Sequence, residues 1–179
     1  MPFTGRAPYD KMQREITMDN DITVRNNLQE SDISRVVELH RSIYEKEFQY
    51  GASFVKYVDE SFRAFFPRYD AEKDRAWICE DEGKLVGFLL LIHHSEESVQ
   101  LRYFILNPEY RGRGVGNTLL DGFISFMKEK NYKHAFLFTT AELTAAGHLY
   151  TKYGFTRSEQ FYSDRFGKPV LEQRFDLRL

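Results

Sequence analysis

The sequence has a single cysteine, Cys79, so no disulfide can form within the chain. It has almost no excess of charge: 25 Lys and Arg stand against 27 Asp and Glu, a net charge of -2. A nucleic-acid binder usually carries a basic surplus, so no nucleic-acid partner is expected, although "RGRG" at 111–114 is a local basic patch. The opening "MPFTGRAPYDKMQREITMDND" lacks the apolar run of a secretory signal. The longest apolar stretch, "LVGFLLLI" at 85–92, is too short to span a bilayer. Internal repeats, low-complexity tracts and interdomain linkers are also missing. These absences predict a soluble, cytoplasmic protein with no membrane partner.

What is present suits one domain. The 179 residues are 42% hydrophobic and 16% aromatic, enough to bury a core. Residues 1–20 are polar and weakly periodic and read as an N-terminal tail. The patterned domain covers 21–179. "DITVRN" (21–26) reads as a short strand. A helix follows in "QESDISRVVELHRSIYEKEF", with Ser31 or Asp32 as cap and Ile33, Val36, Val37, Leu39, His40 and Ile43 at helical spacing. A second helix fits 54–66, with Val55, Val58, Phe62 and Phe65 or Phe66 inward, and Pro67 ends it.

"RAWICE" and "KLVGFLLLI" then read as a hairpin around "DEG", with Cys79 a small buried hydrophobe in the first arm. "SVQLRYFIL" (98–106) is a fourth strand, closed by Pro108. A helix over 115–130 carries Val115, Leu119, Leu120, Phe123, Ile124 and Met127 on one stripe. "HAFLFTT" (134–140) is a strand, 143–153 a helix, and 155–163 and 170–179 two last strands. Neighbouring strands with short turns pair antiparallel, while the strand–helix–strand unit over 98–140 pairs parallel. The expected architecture is α/β, a mixed sheet of six or seven strands with helices on both faces.

The densest signal is "NPEYRGRGVGNTLLDGFI", 107–124. A strand running into a helix leaves the first helical N–H groups unpaired and partly positive, which makes an anion site. Glycine lets the backbone approach phosphate oxygens, and Arg111 and Arg113 add charge-assisted hydrogen bonds. A Walker A loop would need lysine and then Ser or Thr after its last glycine, but Asn117 and Thr118 follow Gly116. A dinucleotide fingerprint would need G-x-G-x-x-G on the first strand of its unit; this is G-x-G-x-G after an antiparallel meander. That argues against a Rossmann oxidoreductase.

The third pattern is Arg or Gln, two residues, Gly, one residue, then Gly or Ala, and Arg111, Gly114 and Gly116 match it. In this the chain resembles the GNAT superfamily of N-acetyltransferases, whose acetyl-CoA pyrophosphate loop has that form. "HLYTKYGF" (148–155) resembles the family's "LYxKxGF" signature, and the element order over 21–179 resembles the family's. More narrowly, "LYTKYGFTRSEQ" and "FGKPVLEQRFDLRL" resemble acetyltransferase domains fused behind MarR-type regulators. The residues before the domain are too few for a winged helix, so the regulator half is expected to be absent.

The resemblance implies a GNAT fold whose fourth and fifth strands splay apart to admit pantetheine. It implies that Arg111, Gly112, Arg113, Gly114, Val115, Gly116 and Asn117 hold the pyrophosphate of acetyl-CoA. Backbone groups of Ile105, Leu106 and Asn107 would bond the pantetheine. Tyr150 takes the position of the phenol that protonates the leaving thiolate, which suits a side chain with an ordinary pKa near 10. The implied reaction is direct attack by a primary amine in a ternary complex.

One departure is Leu143, which stands where many relatives have a pantetheine-contacting Asn; Thr144 or Thr140 would have to substitute. The end of the first helix is implied to build part of the acceptor pocket. There Glu47 is the expected base or amine anchor, with Tyr44 three residues away on the same face. His93 and His94 are rivals, and with no third ligand at useful spacing they do not suggest a metal. The expected acceptor is a small-molecule or amino-acid-like amine. Glu45 and Glu47 hint at a cationic amine, Arg102 at a carboxylate. The competing reading is an acyl-CoA-binding sensor without turnover. The C-terminal strands offer an edge for a homodimer.

Overall fold

The computed structural model describes residues 22–179, so the expected tail over 1–20 lies outside the described residues. The chain runs β1 (Ile22–Arg25), α1 (Glu30–Phe48), α2 (Ala52–Phe65), β2 (Arg75–Asp81), β3 (Lys84–His93), β4 (Ser98–Leu106), α3 (Val115–Glu129), β5 (His134–Thr140), α4 (Thr144–Lys152), β6 (Thr156–Ser163) and β7 (Val170–Arg178). Its seven strands form one sheet in the order β1-β2-β3-β4-β5-β7-β6, with β4 and β5 parallel. The element order is the one the periodicities predict. The β2–β3 hairpin turns on Glu82 and Gly83, both at positive φ (47° and 77°), so glycine serves the turn.

Apolar residues on the two sheet faces are covered by different helices. Ile33, Val36, Phe54, Val58 and Phe62 of α1 and α2 pack on one face with Ile78, Phe88 and Leu90. Val115, Leu119, Phe123 and Met127 of α3 pack on the other with Leu89, Leu101 and Leu137. Helix α3 lies close to β2: a Cβ at Gly122 would sit 2.6 Å from the Trp77 indole nitrogen, so only glycine fits. Cys79 is fully buried in this core, and burial pushes its thiol up to about 12.

Three local expectations are corrected. Helix α1 is capped by Gln29, earlier than Ser31 or Asp32, because Asp32 sits in the first turn and accepts the Gln29 N–H at 2.9 Å. Asp32 is fully buried and paired with Arg25 of β1 and Arg35 of α1, while both arginines also reach Glu80 of β2. On α2 the inward residue is Phe54 and Val55 is only partly buried; on α3 Phe126 is buried and Ile124 only partly. The choice in each pair depends on a helix rotation of a few tens of degrees, which tertiary packing sets.

The feature that shapes the site is the way β4 leaves β5. Their ladder covers only Ser98↔His134, Val99↔Ala135 and Gln100↔Phe136. Beyond Gln100, β4 carries a bulge: Tyr103 and Phe104 lie opposite Leu89 alone, and Tyr103 has φ +52°. That conformation is uncommon for an aromatic residue. It is held by a stack on Phe62, 4.7 Å between ring centroids, and by a 2.8 Å bond between the Tyr103 and Ser61 hydroxyls. A bulge bends the strand, and here it coincides with the gap between β4 and β5.

Candidate active site

The glycine turn meets α3 as the sequence predicts. Gly112 and Gly114 take φ +75° and +83°, which favours glycine at both. The first intrahelical bond runs from Thr118 N–H to Gly114 C=O, so the N–H groups of Val115, Gly116 and Asn117 precede it. The first turn of α3 contains no acidic residue. Gly116 is needed for closeness: a Cβ there would come within 3.3 Å of Leu149 on α4. The "KY" of the α4 signature, Lys152 and Tyr153, braces this turn. Lys152 Nζ donates to Asn117 Oδ1 at 2.7 Å, and the Tyr153 hydroxyl lies 2.9 Å from both the Asn117 carbonyl and Asp121.

A groove of about 540 Å³ runs from this turn along the end of β4 to the start of α4. Arg111, Gly112, Gly114, Gly116 and Asn117 line its outer part, and Ile105, Leu106, Leu143 and Thr144 its inner part. Three expected residues do not line it. The Val115 side chain is buried in the core, so its N–H is what it can offer. The Arg113 guanidinium stacks over Tyr110, 5.1 Å from the ring. Asn107 is spent locally: its N–H donates to Val86 and its side chain accepts from Glu109 N–H. Strand alternation then turns the peptide groups of Ile105 toward β3 as well, and those of Leu106 toward the gap.

A second cavity of about 140 Å³ lies in the gap itself, walled by Arg102 and Phe104 of β4 and by Phe138 and Thr140 of β5. Tyr44, Phe104, Leu143 and Ala146 line both spaces and form the junction. Tyr150 lines the inner cavity and is 5% exposed. Burial holds its phenol far above the ordinary range, with Tyr44 adding to the shift. Tyr44 itself is raised by burial. Tyr50, raised by burial too, lies 2.8 Å from the Thr140 hydroxyl and donates to Glu142 at 3.0 Å. Thr140 is thereby engaged, while Thr144 remains on the groove wall.

Glu47 has a different setting from the one expected. It lines the groove, 2.8 Å from Arg111, and does not line the inner cavity. Its carboxylate meets the arginine of the turn because the end of α1 reaches over the β4–α3 connection. The rival histidines lie outside both spaces. His93 Nδ1 is 2.7 Å from Asp74, and His94 Nε2 is 3.1 Å from the Gln100 side chain. No group of three or more metal-ligating side chains gathers among the described residues.

Much of the inner cavity's wall was not singled out from sequence as part of a site, including His40, Tyr57, Arg165 and Glu172. His40 reads as part of the apolar stripe of α1, and it is 4% exposed. Its Nδ1 donates to the Val36 carbonyl at 2.8 Å, and burial pushes the imidazole down to about 4. Arg165 and Glu172 come from the β6–β7 hairpin, far along the chain, and no local motif marks them.

Comparison with known proteins identifies the family and the fold. The sequence model of the acetyltransferase (GNAT) family matches residues 34–155. The chain belongs to that family. An N-acetyltransferase of Methanocaldococcus jannaschii, described as uncharacterized, is 27% identical over 143 residues, covering 76% of this chain and 62% of its own length. N-acetylaspartate synthetase of Xenopus tropicalis is 34% identical over 80 residues, 44% of this chain and 30% of its own. The chain therefore spans less than two thirds of these relatives. Among solved structures, a GNAT acetyltransferase from Staphylococcus aureus superposes with a TM-score of 0.70 at 20% identity, over 88% of this chain and 99% of that one. The PaiA N-acetyltransferase of Thermoplasma acidophilum, in complex with coenzyme A, gives 0.66 at 18% identity, over 89% and 99%. The fold is thus a GNAT fold. No helix among the described residues is long and apolar enough to cross a membrane.

Proposed function

We propose that the protein is an acetyl-CoA-dependent N-acetyltransferase that acts on a primary amine of a small-molecule or amino-acid-like acceptor. One observation carries this reading. A groove that begins at an acid-free helix N-terminus opens onto a small cavity between two splayed strands, and a buried tyrosine walls that cavity. The groove suits acetyl-CoA as co-substrate: a turn of glycines and Arg111 for the pyrophosphate, and an apolar inner wall with the outward peptide groups of Leu106 for the pantetheine. The coenzyme A complex of the Thermoplasma neighbour and the N-acetylaspartate synthetase of Xenopus support the same reading.

In this reading the acceptor amine attacks the thioester carbonyl directly. The C–N bond forms, the C–S bond breaks, and Tyr150 gives its proton to the departing thiolate. The proton lost from the amine nitrogen returns to the phenolate. Burial keeps Tyr150 protonated at neutral pH, which an acid requires. Tyr44, at the junction, positions the acceptor. Glu47 enters as the partner that holds Arg111 in place.

The kinship to domains fused with MarR-type regulators rests on the C-terminal residues, and a cytoplasmic setting is part of the same reading. The exposed edge of β6, where Tyr162 is 81% exposed, supports pairing of two copies. Initial-rate kinetics with both substrates varied test the mechanism. Direct attack gives intersecting double-reciprocal lines; parallel lines and an isolable acetyl-enzyme would contradict it.

A further inference from the structure

The inner cavity holds two groups whose capacity the protein does not use. Glu172 on β7 is 1% exposed and stands opposite Thr140 in the β5–β7 ladder. Arg165 donates to its Oε2, but its Oε1 has no hydrogen-bond partner among the described residues. A buried carboxylate oxygen without a donor is unfavourable, so an incoming N–H is favoured there. Arg102 on β4 is the second group. Its Nη2 donates to the Tyr57 and Ser61 hydroxyls at 3.1 and 3.2 Å, yet it has no carboxylate partner among the described residues. Both residues line the same cavity of about 140 Å³.

We propose that this cavity recognises a zwitterion, an amino acid or a close analogue, with its amine on Glu172 Oε1 and its carboxylate on Arg102. The proposal rests on the acetyltransferase reading and names the acceptor class. A simple cationic amine would leave Arg102 without a counter-charge and would face two guanidiniums, Arg102 and Arg165. A simple anion would leave Glu172 Oε1 unpaired. A ligand with both groups satisfies both walls. Size agrees: an apolar cavity near 150 Å³ admits a molecule about as large as benzene, so the seat suits a small acceptor. A peptide N-terminus or a lysine side chain within a protein lacks the adjacent free anion and is disfavoured. The Tyr57 and Tyr103 rings flank the Arg102 guanidinium, at 5.8 and 4.6 Å, and hold it toward the cavity.

Calorimetric titration of the full chain, with coenzyme A present, tests this. The probes are L-amino acids, the amine each would leave on decarboxylation, and the amino-acid amides. At least one amino acid should bind about tenfold tighter than its matched amine and amide, as expected for a charge-assisted pair. Arg102→Met should erase that preference and Arg102→Lys restore part of it. Glu172→Gln should weaken amino acid and amine alike by about tenfold. Acetyl-CoA affinity should stay within about twofold in each variant, which separates acceptor recognition from loss of fold. Equal binding of amino acids and matched amines, a preference that survives Arg102→Met, or no binding by any probe would overturn the proposal. Thiol release is read on the same panel. Amino-acid binding without release on any probe refutes the transferase reading and leaves the zwitterion site standing. Release that favours amines without the carboxylate refutes the site and leaves the transferase reading.

Discussion

Burial governs the ionisable side chains at the junction of groove and cavity. Tyr150 stays a phenol because its charged form would lose hydration in a site that is 5% exposed. Tyr150→Phe should therefore lower kcat by roughly a hundredfold, the usual scale for a lost general acid, with the KM for acetyl-CoA nearly unchanged. Steady-state kinetics check this, and an unchanged kcat would remove Tyr150 from the chemistry. His40 makes a second residue-scale prediction. Its imidazole is pushed down to about 4 from an ordinary 6.5. The unfolded chain thus takes up a proton that the folded chain refuses between those values. The contribution is complete above about pH 6.5 and is lost as pH falls toward 4, by up to roughly 3 kcal/mol. His40→Phe should flatten that part of the stability profile. Denaturant unfolding at pH 7 and 4.5 measures it, and a variant that follows the parent curve would contradict the assignment. Residues of this kind were hard to read from sequence. His40 looks like one more inward position of α1, and only its neighbours, Tyr44 and Tyr103, show that it borders a cavity.

At the scale of elements, the β4–α3 turn was legible because glycine and charge are both written locally. The structure separates the roles of two glycines. Gly114 is fixed by its φ of +83°, and Gly116 by the approach of Leu149. Gly114→Asn should keep coenzyme A affinity within about threefold, since Asn accepts the left-handed region, while Gly114→Val should weaken it about tenfold or more. Gly116→Val should weaken it as much by a different route, pushing α4 away from the groove. Calorimetric titration of coenzyme A distinguishes these outcomes; a tolerated Gly114→Val would contradict the turn's dependence on positive φ. Other element-scale features were not legible. Asp32 reads as a helix cap, yet it is buried and paired with Arg25 and Arg35, a network that joins β1, α1 and β2 only in three dimensions.

At the scale of the molecule, element order was enough to predict a mixed sheet with a parallel β4–β5 pair. The divergence of those strands after Gln100 was expected from resemblance alone, because its visible cause is a bulge at Tyr103, and Tyr103 looks like an ordinary strand aromatic in "LRYFIL". The acceptor side was least legible. Its charged groups, Arg102, Arg165 and Glu172, come from β4, the β6–β7 connection and β7, and only folding brings them to one cavity. The expected acceptor carboxylate, Glu47, instead meets Arg111 on the coenzyme side. The proposed activity requires groove and cavity to form one catalytic unit. The most direct test incubates the purified chain with acetyl-CoA and a panel of amines and amino acids, reading free thiol and acetylated product together. Acceptor-dependent thiol release with an equal amount of N-acetyl product, strongly reduced in Tyr150→Phe, is the expected result. Tight coenzyme A binding with no release on any acceptor would contradict it and favour a sensor without turnover.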